Sequence, residues 1–134
     1  MDMSQINFLA VIVAALSGFL VGGIWYSPIM FSKVWVKEVG LSGDEIKNAN
    51  MGKVFIGSFI LSLIIAFNLA AFIGPEADFQ FGLFAGAATG IGWVAMSLGI
   101  IYLFEQRSMK LFLINAGYQA VTYTIMGGIL GLWH

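Results

Sequence analysis

Charged side chains make up only 10% of this 134-residue chain, whereas a soluble domain carries about 25%. The shortage is concentrated in four apolar stretches that contain no Asp, Glu, Lys, Arg or His: Asn7–Tyr26, Val54–Ile73, Phe81–Phe104 and Leu111–Trp133. Helices of a soluble bundle need a polar face toward water. The missing charges therefore argue against a soluble protein.

Cysteine is absent, and histidine occurs once, at the terminal position His134. Disulfides, thiolate metal ligands and thiol nucleophiles are therefore excluded. The sequence shows no cluster of His and acidic residues for a metal, and its apolar stretches lack groups for acid–base catalysis. We expect no metal site, no cofactor and no enzymatic activity.

The apolar stretches are long enough to cross a membrane. A helix of about 20 residues, rising about 1.5 Å per residue, spans a hydrocarbon core of about 30 Å. Transmembrane β-strands would instead alternate in polarity over segments of about 10 residues. We therefore predict an all-α fold, an integral membrane four-helix bundle that forms a single transmembrane domain over residues 1–134.

All six basic residues fall in two of the segments between these stretches. Lys33, Lys37, Lys47 and Lys53 lie between the first and second stretch, and Arg107 and Lys110 lie between the third and fourth. Lysine and arginine are retained on the cytoplasmic side, especially in short loops. The pattern predicts a cytoplasmic (inner) membrane protein with both termini outside and a basic inner face that meets lipid headgroups.

The first basic segment also carries the pattern of a short helix. Ser27 followed by Pro28 predicts a helix start, and Gly40 predicts its end. Its apolar residues would share one face: Met30, Phe31, Val34 and Trp35. Such a helix suits the headgroup layer of a membrane, but we favour the simpler interpretation of a segment that anchors and spaces two spans.

Small residues recur at every fourth position in each apolar stretch. The glycines of these rows are Gly18 and Gly22 in the first stretch, Gly82, Gly86 and Gly90 in the third, and Gly128 in the fourth. The row of the second stretch has no glycine and consists of Ser58, Ser62, Ala66 and Ala70. Lipid gives helices no hydrophobic reason to associate, so small residues that permit close approach direct their packing. The rows predict either tight packing within the chain or a subunit interface, and we expect so small a bundle to be a homo-oligomer.

Asn68 is an isolated amide in the second stretch, in its outer half and away from the small-residue row. An amide side chain that faces lipid without a hydrogen bond is costly. We therefore expect Asn68 to bond to another helix or to another subunit.

The last stretch carries a polar face. Tyr118, Gln119 and Thr122 follow Asn115 at offsets of three, four and seven, which places all four on one side of a helix. Further polar or aromatic residues lie at a comparable inner depth: Ser58, Ser62, Ser97, Trp25 and Tyr26. The face indicates either an interhelical hydrogen-bond network or a neutral polar pocket open to the cytoplasm.

Several segments resemble a known family. Trp25-Tyr26-Ser27-Pro28, followed by Phe31, Lys33 and Trp35, resembles the signature of small bacterial membrane proteins known as domain of unknown function one-seven-six-one. The segments Asn7–Ala10, Ala116-Gly117-Tyr118 and Gly127-Gly128 are similar to the same family. The resemblance implies a four-span bacterial inner-membrane protein, and it implies no activity and no catalytic residues.

Together these features favour a non-enzymatic, oligomeric protein that binds or assembles with membrane lipid or a protein partner. No feature points to nucleic acid. The alternative is a small-solute transporter or channel that uses the polar face of the last stretch as a neutral pocket.

Overall fold

The computed structural model describes residues 3–40, 44–45 and 50–133, so the predictions on Lys47 and His134 lie outside the described residues. Within the described residues, five helices of eight residues or more follow a short 3-10 turn at Met3–Gln5. They are α1 (Phe8–Trp25), α2 (Ser32–Val39), α3 (Met51–Ile73), α4 (Phe79–Glu105) and α5 (Met109–Leu132), and α4 includes a π-helical segment at Gly90–Ala95. The described residues form no strand, and the all-α fold is confirmed.

Each of the four long helices begins after a side chain that caps it. The capping oxygens accept a hydrogen bond from the backbone N–H three residues on: Asn7 from Ala10, Asn50 from Lys53, Asp78 from Phe81 and Ser108 from Leu111. Such a cap contributes about 1 kcal/mol. Local capping therefore decides where each apolar stretch begins its helix.

Three helices within the described residues are long and apolar enough to cross a membrane, namely α1, α3 and α4. Many of their large apolar side chains face outward. Leu20, Ile56 and Phe84 are 68%, 65% and 70% exposed, respectively. An outward apolar surface of this kind is what a helix in contact with lipid requires, because lipid tails are as apolar as the side chains they meet.

The helix α5, predicted as the fourth span, is not one of these three helices, and amide and hydroxyl side chains occupy its middle. It is also the most enclosed of the helices, packed against α1, α3 and α4, with nine buried residues. The apolar core includes Ala14, Ala66 and Met126, contributed by α1, α3 and α5. The helix α5 can be less hydrophobic than α1 and α3 because its central position places its polar side chains against protein.

The helices α4 and α5 pack with their backbones in direct contact. A Cβ atom at Gly82 would overlap the carbonyl oxygen of Gly127, and one at Gly86 would overlap the carbonyl oxygen of Tyr123. At Gly90 a Cβ atom would meet the Tyr123 side chain at 2.8 Å. This glycine row therefore serves packing within the chain.

The other small-residue rows contribute unequally. Gly18 and Gly22 face α5, where a Cβ atom at Gly22 would meet the Tyr118 ring at 3.3 Å. Gly128 lies against side chains of α4. Ser58, which begins the row of α3, is exposed instead, so that row packs only toward its far end.

The short helix α2 forms, but it begins later than predicted. Ser27 does not cap it, because its hydroxyl donates to the Ile24 carbonyl oxygen at 2.7 Å and accepts from the Ile29 backbone N–H at 3.3 Å, in a turn that precedes the helix. The helix starts at Ser32, where no side chain makes a capping hydrogen bond. Gly40 ends it in the left-handed conformation, with φ 80°, as predicted.

Part of the apolar face predicted for α2 packs on protein. The Phe31 ring lies 4.9 Å from the Trp25 ring, and the Trp35 ring lies 5.6 Å from the Tyr26 ring, measured between centroids. Val34 remains 40% exposed. These ring contacts hold α2 against the end of α1.

Candidate functional site

A chain of hydrogen bonds joins α1, α4 and α5 at one end of the bundle. The Tyr26 hydroxyl donates to the Asn115 amide oxygen at 2.7 Å, and the Asn115 amide nitrogen donates to the Tyr102 hydroxyl at 2.7 Å. An asparagine side chain offers an acceptor oxygen and a donor nitrogen, so both ends of this amide are bonded. We call these three residues the Asn115 network.

The neighbouring Trp25 fixes the same junction. Its indole N–H donates to the Ile114 carbonyl oxygen of α5 at 2.8 Å. Its ring lies over Gly117, where a Cβ atom would approach the ring to 3.0 Å. The Trp25-Tyr26 pair therefore docks the end of α1 onto α5.

A cavity of about 480 Å³ lies beside the network, between α1, α3 and α5. Its polar lining consists of four hydroxyl side chains, Tyr26, Ser58, Ser62 and Tyr118. The remaining lining residues are Gly18, Phe19, Gly22, Gly23, Trp35, Val54 and Phe55. Ligand sites have volumes of about 300–1,000 Å³ and place a few polar groups within apolar walls. None of these lining residues is charged, so the cavity suits an uncharged ligand surface.

Two of the four hydroxyls that line the cavity make no hydrogen bond within the described residues. The Tyr118 hydroxyl donates to the Gly18 carbonyl oxygen at 3.1 Å, and Tyr26 is held by the network. Ser58 and Ser62 have no side-chain hydrogen bond within the described part of the chain. Both serine hydroxyls are therefore available to donate to, or accept from, a ligand.

The sequence pattern of a family described as "Protein of unknown function (DUF1761)" matches residues 9–131. The chain belongs to the DUF1761 family. The match confirms the family resemblance and covers all of α2, α3 and α4. No curated protein and no solved structure matches the chain. Membership in DUF1761 supplies no activity for this chain.

In this DUF1761 member, the polar residues singled out from the sequence divide into two adjacent groups. Asn115 and Trp25 bond across the junction of α1 with α5. Ser58, Ser62 and Tyr118 line the cavity, and Tyr26 takes part in both groups. The structure therefore places a hydrogen-bond network and a polar-lined cavity side by side.

Three other predicted residues stand apart from both groups. The Gln119 side chain is half-buried and Ser97 is exposed on α4, and neither makes a side-chain hydrogen bond within the described residues. Thr122 is 3% exposed beside Gly18 and Tyr118, and its hydroxyl makes no hydrogen bond of ordinary geometry within the residues that the structure describes. None of the three is among the residues that line the cavity.

Sequence reasoning did not assign Tyr102 to the network, and it did not assign five of the lining residues to the cavity, namely Phe19, Gly23, Trp35, Val54 and Phe55. Tyr102 and Asn115 lie on either side of the short turn at residues 106–108. Counting along both helices from that turn would have placed the two side chains at a similar height in the bundle. Trp35, predicted on the apolar face of the short helix, lines the cavity together with Gly23, which has no sequence signal of its own. Their positions depend on how α2 folds back against α1, which no local pattern encodes.

The two basic segments of the chain meet at this end of the bundle. Arg107, in the turn before α5, donates to the carbonyl oxygen of Val39 at the end of α2, at 3.3 Å, and pairs with Glu105 at 3.1 Å. Lys33 and Lys37 lie on α2 itself. Within residues 3–40, 44–45 and 50–133, no group of three His, Cys, Asp or Glu side chains is placed to hold a metal.

Proposed function

We propose that this chain is an integral membrane protein whose four long helices all cross the bilayer, with its basic end in the cytoplasm. The contact between Arg107 and Val39 supports this orientation, because it brings the two basic segments to the same end. The central position of α5 supports a fourth span, because helices that meet lipid shield its polar side chains. In this orientation the termini face outward.

The proposed function is non-enzymatic binding of a membrane amphiphile in the cavity between α1, α3 and α5. The observation that carries the proposal is the lining of that cavity, which combines two unbonded serine hydroxyls with aromatic and aliphatic walls and no charged group. An ionised group would be desolvated there without a partner, so the bound portion must be uncharged. A lipid matches this chemistry through its ester or hydroxyl groups and its apolar chains.

The basic side chain of Lys53 offers a contact for the headgroup of a bound lipid. It directly precedes Val54, which lines the cavity, and it is exposed near the start of α3. A basic side chain at the membrane surface attracts an anionic headgroup with about 1 kcal/mol. A lipid with its ester region at Ser58 and Ser62 would therefore extend its headgroup toward the basic end of the bundle.

The test fills the cavity without disturbing the packed helices. Gly23 lines the cavity, and a Cβ atom there would meet nothing within 4 Å, so Gly23→Leu adds a side chain without a backbone clash. Gly57→Leu is the matched control, because its Cβ position is equally open and it is not a lining residue. Each protein is purified in mild detergent, and retained lipid is measured by native mass spectrometry.

We expect Gly23→Leu to lower retained lipid about tenfold, which corresponds to about 1.4 kcal/mol, while Gly57→Leu retains it. Equal retention in both variants would overturn the proposed site. A flux assay in liposomes distinguishes solute transport from lipid binding. A protein that only binds lipid gives no solute flux above that of protein-free liposomes. Flux that Gly23→Leu abolishes would replace the binding proposal by transport through the same cavity.

A further inference from the structure

Asn68 presents a hydrogen-bonding amide on the outer surface of α3. The residue is exposed, and its side chain has no hydrogen-bond partner within the described residues. It lies five residues before α3 ends at Ile73, well inside the helix rather than at its terminus. On a helix that crosses a membrane, an amide at this depth faces hydrocarbon and cannot exchange its bonds with water.

The residues around Asn68 form an apolar ridge. Leu61, Ile64, Asn68 and Phe72 follow one another at intervals of three or four residues, so they share one face of the helix. The three apolar side chains, Leu61, Ile64 and Phe72, are 63%, 52% and 57% exposed. We call Leu61, Ile64, Asn68 and Phe72 the Asn68 face. It is apolar except for the amide at its centre.

Depressions flank the ridge on both sides. One of about 220 Å³ lies toward α4 and is lined by Phe72, Trp93 and Tyr123, among others. Another of about 300 Å³ lies toward α1 and is lined by Phe8 and Phe67, among others. Asn68 lines both depressions. A ridge with a groove on each side is the surface on which a second helix packs.

We propose that the Asn68 face is a homodimer interface, in which the Asn68 amides of two copies bond to each other. Copies inserted with the same orientation relate by a two-fold axis along the membrane normal, which brings identical residues to the same depth. An amide both donates and accepts, so it is complementary to itself across such an axis. A single amide in an apolar seam fixes register and oligomeric state, and interhelical amide bonds hold helices together in lipid.

The inference rests on the membrane location proposed above, and it is independent of the lipid site. Asn68 lies near the opposite end of α3 from Val54 and Phe55, which line that cavity. A failure of the dimer therefore leaves lipid retention unchanged. Conversely, a loss of lipid in Gly23→Leu leaves the dimer intact.

Cross-linking tests the interface directly, because the chain has no cysteine and each variant carries a single one. Asn68→Cys is compared with Phe84→Cys in native membranes, using a short bifunctional maleimide. Phe84 is the matched control because it is 70% exposed and lies five residues after α4 begins at Phe79, the same distance from the connection between α3 and α4. Ile64→Cys probes the same face one turn away.

We expect Asn68→Cys and Ile64→Cys to yield a product of twice the monomer mass, at least about fivefold above Phe84→Cys. Equal yields at the three positions would overturn the interface and assign the face to lipid. A product of any other mass would also overturn it, in favour of a different protein partner.

The role of the amide is measured with Asn68→Leu. Energy transfer between labelled copies in liposomes should show a dimer dissociation constant about three- to eighteenfold higher than for the unchanged protein, the range expected for one interhelical bond. Circular dichroism and lipid retention check that the monomer stays folded. An unchanged dissociation constant in a folded Asn68→Leu variant would overturn the amide pairing.

Discussion

The Tyr26 hydroxyl and the Asn115 amide oxygen lie 2.7 Å apart, although 89 residues separate them in the chain. The bond joins the end of α1 to α5, and the Asn115 nitrogen extends it to Tyr102 of α4. Interhelical hydrogen bonds contribute about 0.6 kcal/mol on average in a membrane and up to about 1.7 kcal/mol. Because Tyr26 also lines the cavity, this bond sets one wall of the proposed lipid site.

Tyr26→Phe removes the hydroxyl and keeps the ring against Trp35 and Tyr118. We expect the free energy of unfolding to fall by about 1 kcal/mol, because the Asn115 oxygen loses its donor. Denaturant titration in detergent, followed by circular dichroism, measures the change. Tyr123→Phe is the control, since the Tyr123 hydroxyl makes no hydrogen bond within the described residues, and an equal loss there would contradict the assignment.

Asn115→Leu breaks both bonds of the network and leaves two tyrosine hydroxyls without their partner. We expect a loss of about 2 kcal/mol in the free energy of unfolding. Combined with Tyr26→Phe in a double-mutant cycle, the two losses should not add, because they share one bond. Gln119→Leu should change stability by less than about 0.5 kcal/mol. Additive losses in the cycle would show that Asn115 and Tyr26 act independently.

Gly86→Ala places a methyl group against the Tyr123 carbonyl oxygen. We expect the free energy of unfolding to fall by about 3 kcal/mol, because α4 and α5 must move apart to admit the added carbon. Gly92→Ala on the same helix is the control, since the space around its Cβ position is open. Thermal melting of the purified proteins compares them, and the direct backbone contact would be refuted by matching melting temperatures.

The orientation predicts opposite labelling of two single-cysteine variants. Glu76→Cys lies in the connection between α3 and α4, and Met109→Cys lies at the start of α5, where Met109 is 68% exposed. In intact cells a membrane-impermeant maleimide should label Glu76→Cys, and it should label Met109→Cys only after the cells are permeabilised. The reverse pattern would show that the basic end faces outward.

Much of the fold could be predicted because its causes are local. The absence of charge over each apolar stretch indicates a helix of matching length, and caps such as Asn7 and Ser108 act within three residues. The four-residue spacing of Gly82, Gly86 and Gly90 is also a local pattern, and it predicted the face on which α4 packs closely. Ser27 misled the prediction because the residues that can cap a following helix can also close a preceding one.

The helical class, the approximate extent of the four long helices and the polar face of α5 follow from the sequence alone, because each depends on residues close together in the chain. Only the tertiary structure decided that Asn115 pairs with Tyr26 and Tyr102, and that Ser62 opens into a cavity while Thr122 is buried. Those outcomes depend on the rotation and depth of each helix relative to the others. Rotation and depth follow from contacts between segments far apart in the chain, and no local pattern contains them.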